Sequence, residues 1–162
     1  MSIGEEGGAD VGVETLHGRN WPSVTQFSVF LENRVGRLLE VVRLFQGGKV
    51  RIVGLTISDA ADCSILRVIL SHPEQGREIL ALNDQAFAEN ELLAAELPPS
   101  ASLADLCLAL LRAEINIHYA YPLIVQPHDR PAVVIHVDDN EQASRTLHDM
   151  GFDILCEADL SN

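Results

Sequence analysis

From Gln26 to Leu31 apolar and polar residues alternate, with Phe27, Val29 and Leu31 on one side, the period-two pattern of a half-buried strand. After a short loop, Leu38, Val41, Val42 and Phe45 fall at i, i+3, i+4 and i+7, one face of a helix that Gly47-Gly48 is expected to end. Val50 to Ile57 reads as a second strand, Ala60-Ala61-Asp62 as a turn and Cys63 to Leu70 as a third strand. Ser71-His72-Pro73-Glu74 has the form of a capping box opening a second helix.

The same order returns about 65 residues later, around a longer hairpin at Gln126 to Arg130. Leu103, Leu106, Cys107 and Leu110 repeat the first helical stripe, and Val133, Ile135 and Val137 repeat the inward face of Leu66, Val68 and Leu70. Asp138 and Glu141 repeat the capping box. Ala143, Thr146, Leu147 and Met150 then carry a helix to Gly151, and Phe152 to Cys156 forms a last strand. Each copy therefore reads as strand-helix-strand-strand-helix-strand, so the expected fold class is α+β: two ferredoxin-like (βαββαβ) units side by side, with antiparallel sheets carrying helices on one face. Roughly 70 residues is marginal for such a unit alone, and pairing the copies extends one core.

Residues 1–22 combine glycines with acids and offer little apolar surface, so they are expected to form a mobile tail. The units are placed at 23–92 and 93–162, with Ala86 to Leu97 ending one and opening the other almost without a linker. At 162 residues and 47% apolar content a packed core is expected. A formal charge of −13 argues against nucleic acid or an anionic membrane as partner. Cys63, Cys107 and Cys156 are widely spaced in apolar runs and read as buried thiols of a cytoplasmic protein, without a disulfide framework or zinc site.

The loop Glu32-Asn33-Arg34-Val35-Gly36-Arg37-Leu38 resembles the Glu-Asn-Arg-Pro-Gly-x-Leu loop of ACT domains, and is similar to that of the serine-binding regulatory domain of phosphoglycerate dehydrogenase. Val50-Arg51-Ile52 and Ile115-Asn116-Ile117 resemble the Val/Ile-Asn-Ile strand of the same family, and the resemblance runs from about Thr25 to Leu160. It implies a tandem ACT protein holding a small amino acid at the interface of its units, as an allosteric sensor in amino-acid metabolism. By the same resemblance the loop asparagine falls on Asn33 and the strand asparagine on Asn116, in different copies. The implied ligand-binding set is Asn33, Arg34, Val35, Gly36, Arg37, Leu38, Asn116 and His118. An Asn amide offers both a donor and an acceptor to a zwitterion, Gly36 lets backbone approach a ligand at the helix entrance, and Arg34 or Arg37 could add charge-assisted contacts. In the second copy the loop has Pro98-Pro99 and the strand position is Arg51, so the twin site is expected to be lost or altered.

Plainer readings stand beside these. Asn33 could cap the following helix, and Asn116 could be a structural bridge. His118, His128 and His136 lack the spacing of a metal site, so neither metal nor cofactor is expected. Tyr119 and Tyr121 share a strand face and either fill it or line a groove. No nucleophile-base pair or phosphate loop points to an enzyme. The alternative function is an ACT pair without ligand that dimerises or docks a partner; a homodimer or a partner metabolic enzyme is the expected macromolecular company.

Overall fold

A computed structural model of the chain describes residues 21–162, so most of the acidic N-terminal segment lies outside the described residues. The first unit consists of β1 (Val24–Glu32), α1 (Arg37–Arg43), β2 (Ile52–Asp59), β3 (Cys63–Leu70), α2 (Pro73–Leu82) and β4 (Phe87–Glu96). The second continues with α3 (Leu103–Arg112), β5 (Ile117–Pro122), β6 (Ala132–Val137), α4 (Asn140–Asp149), β7 (Asp153–Leu155) and a terminal turn of helix, α5 (Glu157–Leu160).

All strand pairs are antiparallel, and the sheet runs β2-β3-β1-β4-β6-β5, with β7 also on β4. The ten residues of β4 serve both units. Phe87 to Leu92 pairs with β1, whereas Leu93 to Glu96 pairs with β6 and Ala94 to Glu96 with β7. Thus β4 is the last strand of one βαββαβ unit and the first of the next. The expected α+β architecture of two such units is what forms, with one continuous strand in place of a linker.

Three cores follow from strand alternation, because successive side chains point to opposite faces. Phe27, Val29, Leu31, Leu66, Val68 and Leu70 face α1 and α2, meeting Val41, Phe45 and Leu80. Leu93, Val133, Ile135 and Val137 face α3 and α4, meeting Leu106, Leu110 and Leu147. The remaining faces of the two halves turn towards each other. Val24, Ile69 and Leu92 pack there against Tyr121, Leu123 and Val134, making a seam free of the four long helices. Burying each such side chain contributes roughly 1.5–3 kcal/mol, so the seam is a true core and not an incidental contact. At its far edge β2 and β5 meet through a single bridge, Gly54 to Leu123, with the Ile124 amide donating to the Val53 carbonyl at 2.8 Å.

Both copies also keep one irregularity. The β2–β3 register slips between Ile52 and Gly54, and the β5–β6 register slips between Ile117 and Tyr119. Val53 and His118 occupy the two bulges.

Several local expectations are corrected. Ser71 does not cap α2: its hydroxyl is buried, accepts from the Arg51 amide at 2.8 Å and bonds His72 Nδ1, while Pro73 begins the helix. The cap of α4 is Asp139, which accepts from the Gln142 amide at 3.0 Å, one residue after the expected Asp138. The stripes are half right, since Val41, Phe45, Leu106 and Leu110 are buried but Leu38, Leu103 and Met150 are exposed. Helix α1 ends at Arg43, before Gly47-Gly48, and Phe45 packs from the turns that follow it. The cysteines are free but not buried: Cys107 is exposed and Cys63 and Cys156 are intermediate.

Candidate functional site

The loop between β1 and α1 turns at Gly36, whose φ of 85° lies in the left-handed region that a side chain would disfavour. Asn33 does not cap α1. It is exposed, and its Oδ1 accepts from the Ser64 hydroxyl on β3 at 3.4 Å. Arg34 forms a two-pronged pair with Glu40, both contacts at 2.8 Å, and reaches Glu32 at 3.4 Å. Arg37 donates to Glu40 at 3.2 Å and to Gln85 at 2.7 Å. Hydrogen bonding to Arg34 holds the Glu40 carboxyl below its ordinary range, and the same contact raises the guanidinium. Arg34 is therefore engaged within the loop and its helix, whereas Arg37 also reaches Gln85 ahead of β4 and keeps a buried Nε without a partner among the described residues. Val35 is fully exposed and Leu38 partly so.

Asn116 sits just before β5, exposed, and its side chain makes no hydrogen bond among the described residues. His118 projects from the β5 bulge, with Nε2 2.5 Å from Asp138 Oδ1 and its ring 5.0 Å from that of His136. The structure gathers Arg34 and Arg37 on Glu40 and places Asn116 beside His118, but no hydrogen bond joins Asn33 to Asn116. At the twin position the entrance to α3 is closed by a capping box: Ser102 Oγ accepts from the Asp105 amide, and Asp105 Oδ2 accepts from the Ser102 amide at 2.7 Å. Arg51, the twin of Asn116, donates to the Asn162 main-chain oxygen.

A second group of polar side chains lies in the seam. Gln26 of β1 is fully buried; its Nε2 donates to the Tyr119 hydroxyl at 2.8 Å and its Oε1 accepts from the Tyr121 hydroxyl at 2.7 Å. One glutamine thus ties the first unit to two tyrosines of the second. Burial pushes the Tyr121 phenol well above its ordinary range, so it remains a donor. Arg67 of β3 lies over the Tyr119 ring, its guanidinium carbon 4.4 Å from the centroid, and donates to Ser58 Oγ at 2.9 Å. His136 of β6 completes the group, 4.8 Å from Tyr119 between ring centroids. Burial first, then the charges of His118 and Arg67, pushes its imidazole down, so it is biased to the neutral form. Its Nδ1 is closed off and makes no hydrogen bond among the described residues.

Gln26 and Arg67 escaped the sequence reading because polar residues alternating with core residues look solvent-facing. The available signal was Tyr119 and Tyr121, which lie stacked on the same face. Elsewhere, Glu96 is buried and pairs with His128, which also approaches Asp159 at 3.6 Å. No group of three or more metal-ligating side chains forms among the described residues. A concavity of about 580 Å³ lies away from the loop and the seam, between Trp21, α4 and β7. No described helix is long and apolar enough to cross a membrane.

The chain is similar over 89% of its length, and 99% of the other chain, to the structure of protein BT0572 from Bacteroides thetaiotaomicron, with 28% identity and a TM-score of 0.76. It shares its fold with the regulatory subunit of aspartate kinase from Thermus thermophilus, at 12% identity and a TM-score of 0.52, covering 80% of this chain and 93% of that one. Comparison with curated proteins gives no match. The ACT domain pair model matches residues 22–162, spanning both units, the shared strand and the seam, and the chain therefore belongs to the ACT domain pair family.

Proposed function

We propose that this protein is a regulatory module that binds a small amino acid where its two units meet, with Asn33 and the loop through Leu38 from the first unit and Asn116 and His118 from the second forming the site. The observation that carries the reading is the asymmetry of the two loops. The first turns at Gly36 with no side-chain cap on α1, whereas Ser102 and Asp105 close the same place in the second. The strand positions differ in the same sense, since the Asn116 side chain makes no hydrogen bond among the described residues and Arg51 donates to the Asn162 main-chain oxygen. One interface is thus kept for a ligand and its twin has become structural. The fold shared with a regulatory subunit of aspartate kinase supports a metabolic enzyme or a second copy as the responding partner. The three free cysteines are consistent with a reducing, cytoplasmic setting.

A second reading, a docking module without ligand, is favoured by one feature: α3 exposes Leu103, Cys107, Leu108 and Leu111 on the side away from its own core. A thermal-shift panel of the twenty amino acids separates the two. A ligand at a hundred times its Kd stabilises by roughly 2.7 kcal/mol, raising the melting point of a chain this size by about 5–10 °C. Asn33→Ala and Asn116→Ala should each weaken that response and Arg51→Ala should not. No shift with any amino acid favours docking, and an undiminished shift in both asparagine variants removes the loop-and-strand site.

A further inference from the structure

We infer that Arg67 of the first unit, with Tyr119 and His136 of the second, forms a carboxylate-binding site across the seam, and that the α-carboxylate of the regulatory amino acid docks there and not on the arginines of the α1 loop. The inference rests on the amino-acid reading above for the identity of the ligand, though not for the existence of the site.

The argument begins with charge. The chain has 24 acidic and 11 basic residues, and Arg34, Arg37, Arg77, Arg130 and Arg145 each contact a carboxylate. Arg67 has no acidic partner among the described residues, although it is half-buried and fixed in place. Its Nη1 is used by Ser58, leaving Nε and Nη2 as an unfilled fork. The guanidinium carbon lies over the Tyr119 ring, a cation–π contact that restricts the side chain. A planar fork without a counter-ion is the complement of a carboxylate, which accepts two parallel N–H bonds.

The second unit adds matching groups. The orphaned Nδ1 of His136 is the kind of buried polar atom that a bound group or ordered water satisfies. Four groups face His136: Arg67 from β3, Tyr119 and His118 from β5, and Asp138 from the end of β6. Of these, Asp138 is already engaged by His118, so the uncompensated charge at the seam is that of Arg67. A carboxylate placed there offsets the Arg67 charge, which after burial and His118 disfavours protonated His136, so binding should tighten as pH falls through the His136 titration, below the ordinary histidine range. By contrast, Glu40 and Glu32 occupy all three nitrogens of Arg34, and Arg37 gives Nη1 to Glu40 and Nη2 to Gln85, which leaves only a buried Nε without a partner among the described residues.

The test compares each amino acid that shifts the melting point with its α-amide, by calorimetric titration of wild type, Arg67→Gln, Arg67→Lys and Asn33→Ala. In parallel, the His136 ring resonances are followed by NMR during titration with sodium acetate. The amide should bind at least tenfold more weakly than the acid to wild type. Arg67→Gln should abolish that preference, Arg67→Lys should weaken acid binding several-fold, and Asn33→Ala should lower affinity while keeping the preference. An acid-over-amide preference that survives in Arg67→Gln overturns the site and leaves the amino-acid reading standing. If no amino acid binds, that reading falls, and acetate decides alone. Movement of the His136 signals in wild type and not in Arg67→Gln upholds the carboxylate site, whereas no movement, or a larger response to phosphate than to acetate, overturns it. Should Arg67→Gln fail to fold, Arg67→Lys carries the test, because a merely structural arginine leaves ligand affinity unchanged on that replacement.

Discussion

Removing the hydroxyl of Tyr121 should cost more than its size suggests, because of what it leaves behind. Gln26 is fully buried and Tyr121 is 5% exposed, so neither can exchange the other for water. In Tyr121→Phe the Gln26 Oε1 loses its donor at 2.7 Å, and an orphaned buried acceptor costs about 1–3 kcal/mol. Gln26→Leu alone strands the Tyr121 hydroxyl and should cost a similar amount; Tyr119 is only half-buried and can turn its hydroxyl to solvent. The double variant removes both partners. Its destabilisation should therefore fall short of the sum of the two single losses by about 1–3 kcal/mol. Urea denaturation at constant m-value measures the cycle, and the Tyr121→Phe melting point should drop by about 2–12 °C. Additivity within about 0.5 kcal/mol would refute the reasoning, since independent losses mean that the glutamine does not join the units.

Gly54→Ala should destabilise by about 1–3 kcal/mol in the same denaturation assay, because its Cβ would meet Leu123 Cδ2 at 2.9 Å and Ile69 Cγ1 at 3.2 Å, both in the seam core; adding Leu123→Ala should not make the loss fully additive. Ser102→Ala should cost about 1 kcal/mol by opening the α3 cap, and NMR titration should show the Asp105 carboxyl, held low chiefly by its bond to the Ser102 amide, shift upward as the loop loosens. His136 has a folded pKa below its ordinary 6.5, so the unfolded chain takes up the proton first; its stabilising contribution is present above about 6.5 and is lost as pH falls through the folded value. Denaturation midpoints of wild type and His136→Gln at about pH 7.5 and about pH 5.5 should show this acid-side loss reduced in the variant, and an identical pH dependence would discard it.

The repeat and its faces were legible because duplication doubles every signal. Leu66, Val68 and Leu70 and their counterparts Val133, Ile135 and Val137 are buried as their alternation implies. Caps were less legible: Ser71-x-x-Glu74 matches the box pattern but the chain spends that hydroxyl on Arg51, while Ser102-x-x-Asp105 has the same pattern and forms the box. Pattern alone does not say which partner wins, because a buried strand end competes with the helix amides. The α1 loop was found from its motif, yet Glu40 takes both prongs of Arg34 and one nitrogen of Arg37, a local contact that spacing leaves open. Gln26 and Arg67 were hidden for a deeper reason. They lie on the second face of a sheet, and a chain does not declare whether that face meets water or another sheet.

That closure also decides where a ligand could act. At one side of the seam the units share the unbroken backbone of β4, which no small ligand will open. At the other, β2 and β5 are held by the Gly54–Leu123 bridge and the Ile124-to-Val53 bond. A ligand on Arg67 and Tyr119 joins β3 to β5 and so favours the state in which this weaker edge is closed. It shifts the equilibrium only by its preference for that state. Hydrogen exchange should therefore report ligand as slower exchange at the Ile124 amide, with the β4 amides from Leu92 to Ala94 little changed. Equal protection at both places would mean that ligand stabilises the whole fold without favouring closure, and the edge would lose its role as the moving part.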